Sequence, residues 1–91
     1  KFEKDVAIFS KGNKRGLIDK TATIVAEAVY DEISDFFIDN NVIVRIDNKL
    51  GMISNTGKII LPVQFVDTES LIKTYITLKD NSINVRKHSL N

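Results

Sequence analysis

Short apolar, β-branched segments alternate with polar turns along most of the chain. "VIVRI" (42–46) reads as a strand, because such residues suit a half-buried pleated surface. The "DNK" that follows is a turn signal, since Asp and Asn tolerate left-handed backbone. "LGMIS" (50–54) is the return strand. Its Gly51 either needs positive φ or lets another backbone come close. "NTGK" (55–58) is a second tight turn, and "IIL" (59–61) a third strand, stopped by Pro62 for want of an N–H. The same plan occurs earlier as strands at 6–10, 15–19 and 23–25, with Ala22 in place of the turn glycine. That turn must take another type or carry strain. Tyr30, Ile33 and Phe37 fit one face of a short helix. Like charges at Asp31, Asp35 and Asp39 oppose it, so a short strand around 30–33 followed by a loop or single helical turn is expected.

The two passages are copies. Setting Gly16 against Gly51, 35 residues apart, aligns Asn13 with Asn48, Lys14 with Lys49, Ile18 with Ile53, Thr21 with Thr56 and Ile24 with Ile59, all identical. Leu17/Met52, Val25/Ile60 and Tyr30/Phe65 are conservative pairs. "LKDNS" (78–82) begins a third copy that decays, with Asn84 where the glycine belongs. A period of this length implies stacked supersecondary units, each unable to bury its apolar face alone. The expected fold is mostly β, as consecutive antiparallel hairpins in a short tandem array. It forms one small domain of 91 residues, with repeat 1 at about 6–40, repeat 2 at about 41–74 and a partial repeat 3 at about 75–91. Ile18/Ile53, Ile24/Ile59 and Tyr30/Phe65 are expected to be buried as matched sets. The ends should offer unpaired strand edge. Lys73 and Lys79 are placed to guard a late strand "TYITL"; the opening strand, with Ala7 and Ile8, has no such guard.

"NKRGLIDKTATIVAEAVYDEI" and "NKLGMISNTGKIILPVQFVD" resemble the bacterial WG (KWG) β-repeat. Lys14, Gly16, Lys49 and Gly51 match its lysine and glycine; Leu17-Ile18-Asp19 and Met52-Ile53-Ser54 its strand; Thr56-Gly57 its turn; Pro62 its proline; Tyr30-Asp31 its Tyr-Asp pair. Arg15 and Leu50 stand in the tryptophan column, and Glu27 replaces the first proline. The resemblance implies an antiparallel β-repeat found in bacterial proteins of mostly unassigned role. It brings over no catalytic residue.

Composition adds limits. With 43% hydrophobic and 27% charged residues the chain is an ordinary globular one, although its core must be thin at this size. There is no cysteine, which excludes disulfides and Cys-type zinc sites and fits cytoplasm and bacterial envelope alike. No apolar run approaches the roughly 20 residues that span a bilayer. No signal peptide is visible, and a start at Lys1 suggests a cut domain or processed product.

The net charge of +1 hides two blocks. Residues 11–20 hold Lys11, Lys14, Arg15 and Lys20 against Asp19; residues 27–39 hold Glu27, Asp31, Glu32, Asp35 and Asp39 with no base. Two solvated loops are the bland account. A surface attracting partners, or copies of itself, is the functional one.

Enzyme chemistry is thin. His88 is the only histidine and lies in a polar tail, where a solvent-facing side chain is expected. Asp31, Glu32 and Asp35 lack the spacing of a calcium loop. "KGNKRG" (11–16) is a better hairpin turn than phosphate loop. The expectation is therefore no catalytic site, metal or cofactor, but a module docking a protein or peptide through Ala7, Ile8, Lys11, Lys14 and Arg15. The alternative is a small phage or mobile-element regulator touching nucleic acid, or a nucleic-acid enzyme, through the basic turn 11–20. Self-association through strand edges is a further expectation.

Overall fold

The computed structural model describes residues 5–90, with side chains described from 5 to 80. Seven strands are followed by one helix: β1 (Val6–Lys11), β2 (Lys14–Asp19), β3 (Ile24–Tyr30), β4 (Glu32–Ile33), β5 (Asn41–Ile46), β6 (Lys49–Ser54), β7 (Ile59–Phe65) and α1 (Thr68–Leu90). They form two antiparallel sheets, β1-β2-β3 and β4-β5-β6-β7. The mostly β, hairpin-after-hairpin architecture expected from the alternating pattern is present.

The two copies fold alike to the level of single pairings. Leu17↔Ala26, Arg15↔Tyr30 and Ile18↔Ile24 in the first sheet recur as Met52↔Leu61, Leu50↔Phe65 and Ile53↔Ile59 in the second. Both registers shift at the same place, so the third strand of each unit bulges. Pro62 sits on that bulge, within β7 rather than at its end, because a bulged residue does not need its N–H for the ladder.

The bulge also explains the glycine of each copy. A Cβ on Gly16 would stand 2.4 Å from the Ala26 carbonyl oxygen, and one on Gly51 would be 3.0 Å from that of Leu61. Close backbone approach, not positive φ, is the reason for glycine here.

Turn chemistry repeats as well. Asp47 and Asn48 both have positive φ (50° and 69°), the pattern of a type I′ hairpin turn. Asp19 Oδ1 accepts from the Thr21 and Thr23 amides and the Thr21 hydroxyl. In the second copy Ser54 Oγ accepts from the Thr56 and Lys58 amides and is hydrogen-bonded to the Thr56 hydroxyl. Ala22 takes φ +67° where Gly57 takes +87°, so the first copy keeps the turn and carries the strain.

Strand alternation gives each unit two faces. In unit 1, Val6, Leu17 and Ala26 point toward unit 2, where Val42, Val44 and Ile53 meet them; Ile33 of β4 completes this cluster. The opposite face of unit 2, with Ile43, Met52 and Leu61, packs on Leu71 and Tyr75 of α1. The stack is therefore unit 1, unit 2, helix.

Three expectations need correction. Ile24 and Ile59 do match each other, but as exposed residues (46% and 64%): they begin β3 and β7, each at an edge of its sheet, and of their cross-strand partners Ile18 and Ile53 only Ile53 enters the core. Ile53 is fully buried, whereas Ile18, Tyr30 and Phe65 are half-buried. The third copy does not form a strand. "TYITL" lies in α1, so Lys73 and Lys79 guard no edge. Asp67 starts the helix, its Oδ1 accepting from the Ser70 amide at 2.8 Å, and Leu71 and Tyr75, one turn apart, supply the buried stripe. The region after Tyr30 forms β4 and then a turn at Asp39-Asn40 bridged by Ile38 and Asn41.

Candidate functional site

β1 is one of the two outer strands of the first sheet, β3 being the other, and pairs only with β2 among the described residues. Its hairpin has a two-residue loop, Gly12-Asn13, flanked by the pair Lys11↔Lys14. In an antiparallel ladder the hydrogen-bonded pairs then fall at Lys11, Phe9 and Ala7, leaving the amides and carbonyls of Ile8 and Ser10 directed outward. Ile8 is 40% exposed.

The equivalent strand of unit 2 shows what such an edge accepts. β5 is paired on its outer side by β4, with Glu32↔Arg45 and Ile33↔Val44. The Asp31 amide donates to the Arg45 carbonyl (2.7 Å) and the Ser34 amide to the Ile43 carbonyl (2.8 Å). Thirty-five residues earlier these acceptors are Ser10 and Ile8.

Beside β1, a cleft of about 320 Å³ opens between the units. Val6, Ile8, Leu17 and Val42 give it an apolar floor, Phe37 a wall, and Ser34 and Asp35 a polar rim. A second cleft of about 350 Å³ includes Arg15, Glu32, Ile43 and Arg45 in its lining.

The five expected site residues divide. Ala7 and Ile8 lie on the open edge. Arg15 joins them, because it faces Ser10 across the ladder and donates to the Ser10 hydroxyl at 2.7 Å. Lys11 is exposed at the end of β1. Lys14 is turned away and bonded to Asp31.

This last contact changes the electrostatic picture. The basic and acidic blocks partly neutralise each other and their surroundings: Lys14 with Asp31, Lys20 with Asp5 (3.0 Å), Arg45 with Glu32 (2.9 Å) and Lys79 with Asp39 (2.6 Å). Asp31 also accepts from the Asp47 amide at 2.8 Å, so it ties β2 of unit 1 to the hairpin turn of unit 2. Two bases of the 11–20 turn are thereby committed to acids. Among the described residues no three acidic or histidine side chains gather as a metal site would require. The side chain of His88 lies outside the described residues.

A polar cluster that sequence reasoning missed fixes the other end. The Tyr75 hydroxyl donates to Asp39 (2.9 Å), Asn41 Nδ2 donates to the same hydroxyl (3.2 Å), and Lys79 lies 5.4 Å from the Tyr75 ring centre. Burial and the Asp39 carboxylate push the Tyr75 phenol up, while Lys79 and Tyr75 hold Asp39 below the ordinary carboxylate range. The signal was present as Leu71 and Tyr75 at i, i+4 behind an Asp67 cap.

Asp31 is likewise held low, first by the Lys14 hydrogen bond and then by the Asp47 amide, and Asp19 by the Thr21 hydroxyl and the Thr23 amide. Carboxylates with depressed folded values stabilise the fold above their unfolded pKa, about 4, and that contribution disappears as pH falls through the lower folded values. The melting temperature is therefore expected to fall between pH 6 and pH 2.5, and Asp31→Asn to shrink the fall; thermal scans across that window check it.

No curated protein and no solved structure matches the chain. A model of the WG containing repeat matches residues 16–49, which run from the bulge-facing glycine of unit 1 through β4 to the first residue of β6. One period of the structural repeat thus coincides with the matched segment, and over those residues the chain is similar to the WG containing repeat.

Proposed function

We propose that the chain is a non-catalytic docking module that holds an extended segment of another protein along the free edge of β1. One observation supports this above the rest. The outward groups of Ile8 and Ser10 have no strand beside them among the described residues, while the same positions of unit 2 are paired by β4. Strand addition supplies main-chain hydrogen bonds, and an adjoining cleft supplies selectivity. A phosphate-binding role for the 11–20 turn has less support, since Lys14 and Lys20 are already paired.

Ile8→Pro tests the proposal. Ile8 occupies a position whose N–H points out of the hairpin, so proline there spares the β1–β2 ladder and removes a donor from the edge. Panning a random octapeptide library should enrich binders on the wild-type protein and lose them on Ile8→Pro, with circular dichroism unchanged. Binding should also change little with salt. Peptides that bind Ile8→Pro equally well, or no enrichment at all, would overturn the reading.

A further inference from the structure

We infer that the β1 edge selects a segment of the order acidic, aliphatic, apolar, docked antiparallel with those residues opposite Ser10, Phe9 and Ile8. The inference rests on the docking role above and adds the chemistry of the occupant. It comes from laying unit 1 on unit 2, where the corresponding segment is Glu32-Ile33-Ser34.

The acidic position follows from an exchange between the copies. In unit 2, Glu32 meets Arg45, which faces Leu50 across the hairpin. In unit 1 the corresponding cross-strand pair is Ser10 and Arg15, so the guanidinium has moved to the facing strand. It is held against Ser10 by its hydrogen bond. A carboxylate opposite Ser10 would meet a positive charge, as Glu32 does, and the exposed Lys11 adds to the field.

The aliphatic position is defined by burial. Ile33, opposite Val44, packs among Val42, Val44 and Ile53, all fully buried. The counterparts Ala7, Phe9 and Ile18 share one face of unit 1, yet each is only half-buried. Phe9 lies across Gly16 there: a Cβ on that glycine would be 2.7 Å from the Phe9 ring. An aliphatic side chain opposite Phe9 would cover this face.

The third position differs from the internal template. Ser34 faces Ile43 in unit 2, but a residue opposite Ile8 points into the cleft floored by Val6, Leu17 and Val42. That cleft holds a side chain larger than serine.

The test uses the 91-residue chain and the peptide VYDEISDF, which copies residues 29–36. On titration, the amide signals of Ile8 and Ser10 should move most. VYDEILDF should bind about tenfold more tightly or better, by filling the cleft. VYDKISDF should bind roughly two- to fivefold more weakly, the worth of an exposed charge pair, and Arg15→Glu should reverse that preference. Equal binding of these peptides and a scrambled one, with Ile8 and Ser10 still perturbed, would overturn the selectivity and leave edge docking standing. Binding that leaves those signals unmoved, or persists in Ile8→Pro, would overturn both. A dimer through β1 that no peptide displaces would assign the edge to a second copy and overturn the inference.

Discussion

Gly57→Ala is expected to destabilise the protein by about 2–5 kcal/mol, from left-handed backbone strain and overpacking together. Gly57 has φ +87°, where a Cβ costs about 1–2 kcal/mol. The added carbon would also stand 1.9 Å from the Val25 carbonyl oxygen, which belongs to β3 of the other unit. The turn that closes unit 2 is thus also a contact between units, and a backbone oxygen cannot swing aside as a side chain would. The cost of relieving such a clash is of order 1–3 kcal/mol. Denaturant titration reads the sum as a lowered midpoint. Ala22 is the control. It has φ +67° and is exposed, so the strain is present without the neighbour. Ala22→Gly should stabilise by about 0.5–1 kcal/mol, less than the full strain because glycine loses more entropy on folding.

The same comparison shows what the sequence could and could not reveal. Strands, turns and the period were legible because each rests on local chemistry: β-branched runs, Asp-Asn and Thr-Gly turns, and a glycine at a fixed offset. The choice between the two reasons for Gly51 was not legible, because it depends on a bulge three strands into the unit. Burial of Ile24 and Ile59 was misjudged because alternation assigns a face but not how far the neighbouring unit extends over it. The helix was missed for a different reason. Threonines and isoleucines at 72–77 favour a strand locally, and tertiary demand overrode them: the far face of unit 2 needs a cover, and Leu71 with Tyr75 provides one. At the candidate site, the basic cluster was visible but its pairing was not, since Lys14 reaches an acid 17 residues away. The open edge was legible as an unguarded strand, while the template for its occupant required seeing β4 on β5.

Ile53→Ala should cost about 2–5 kcal/mol, the usual range for emptying a core position. Ile53 is 1% exposed and sits where unit 2 meets unit 1, among Leu17, Val42 and Val44. Removing its branches opens a void lined by both units, so the loss should appear as a lower midpoint for the whole domain rather than fraying of one hairpin. Ile18→Ala removes the same atoms from the matching position of unit 1. There the side chain is half-buried, so the transfer loss is partial and no closed cavity forms; about 1–2 kcal/mol is expected. Ile59→Ala, at a residue 64% exposed, should fall within about 0.5 kcal/mol of wild type. The ordering Ile53, Ile18, Ile59 follows the burial of the three side chains, and equilibrium unfolding of the three variants measures it. A cost at Ile18 equal to that at Ile53 would mean that the outer face of unit 1 is covered in solution. The face beside β1 would then be closed to a partner on that side.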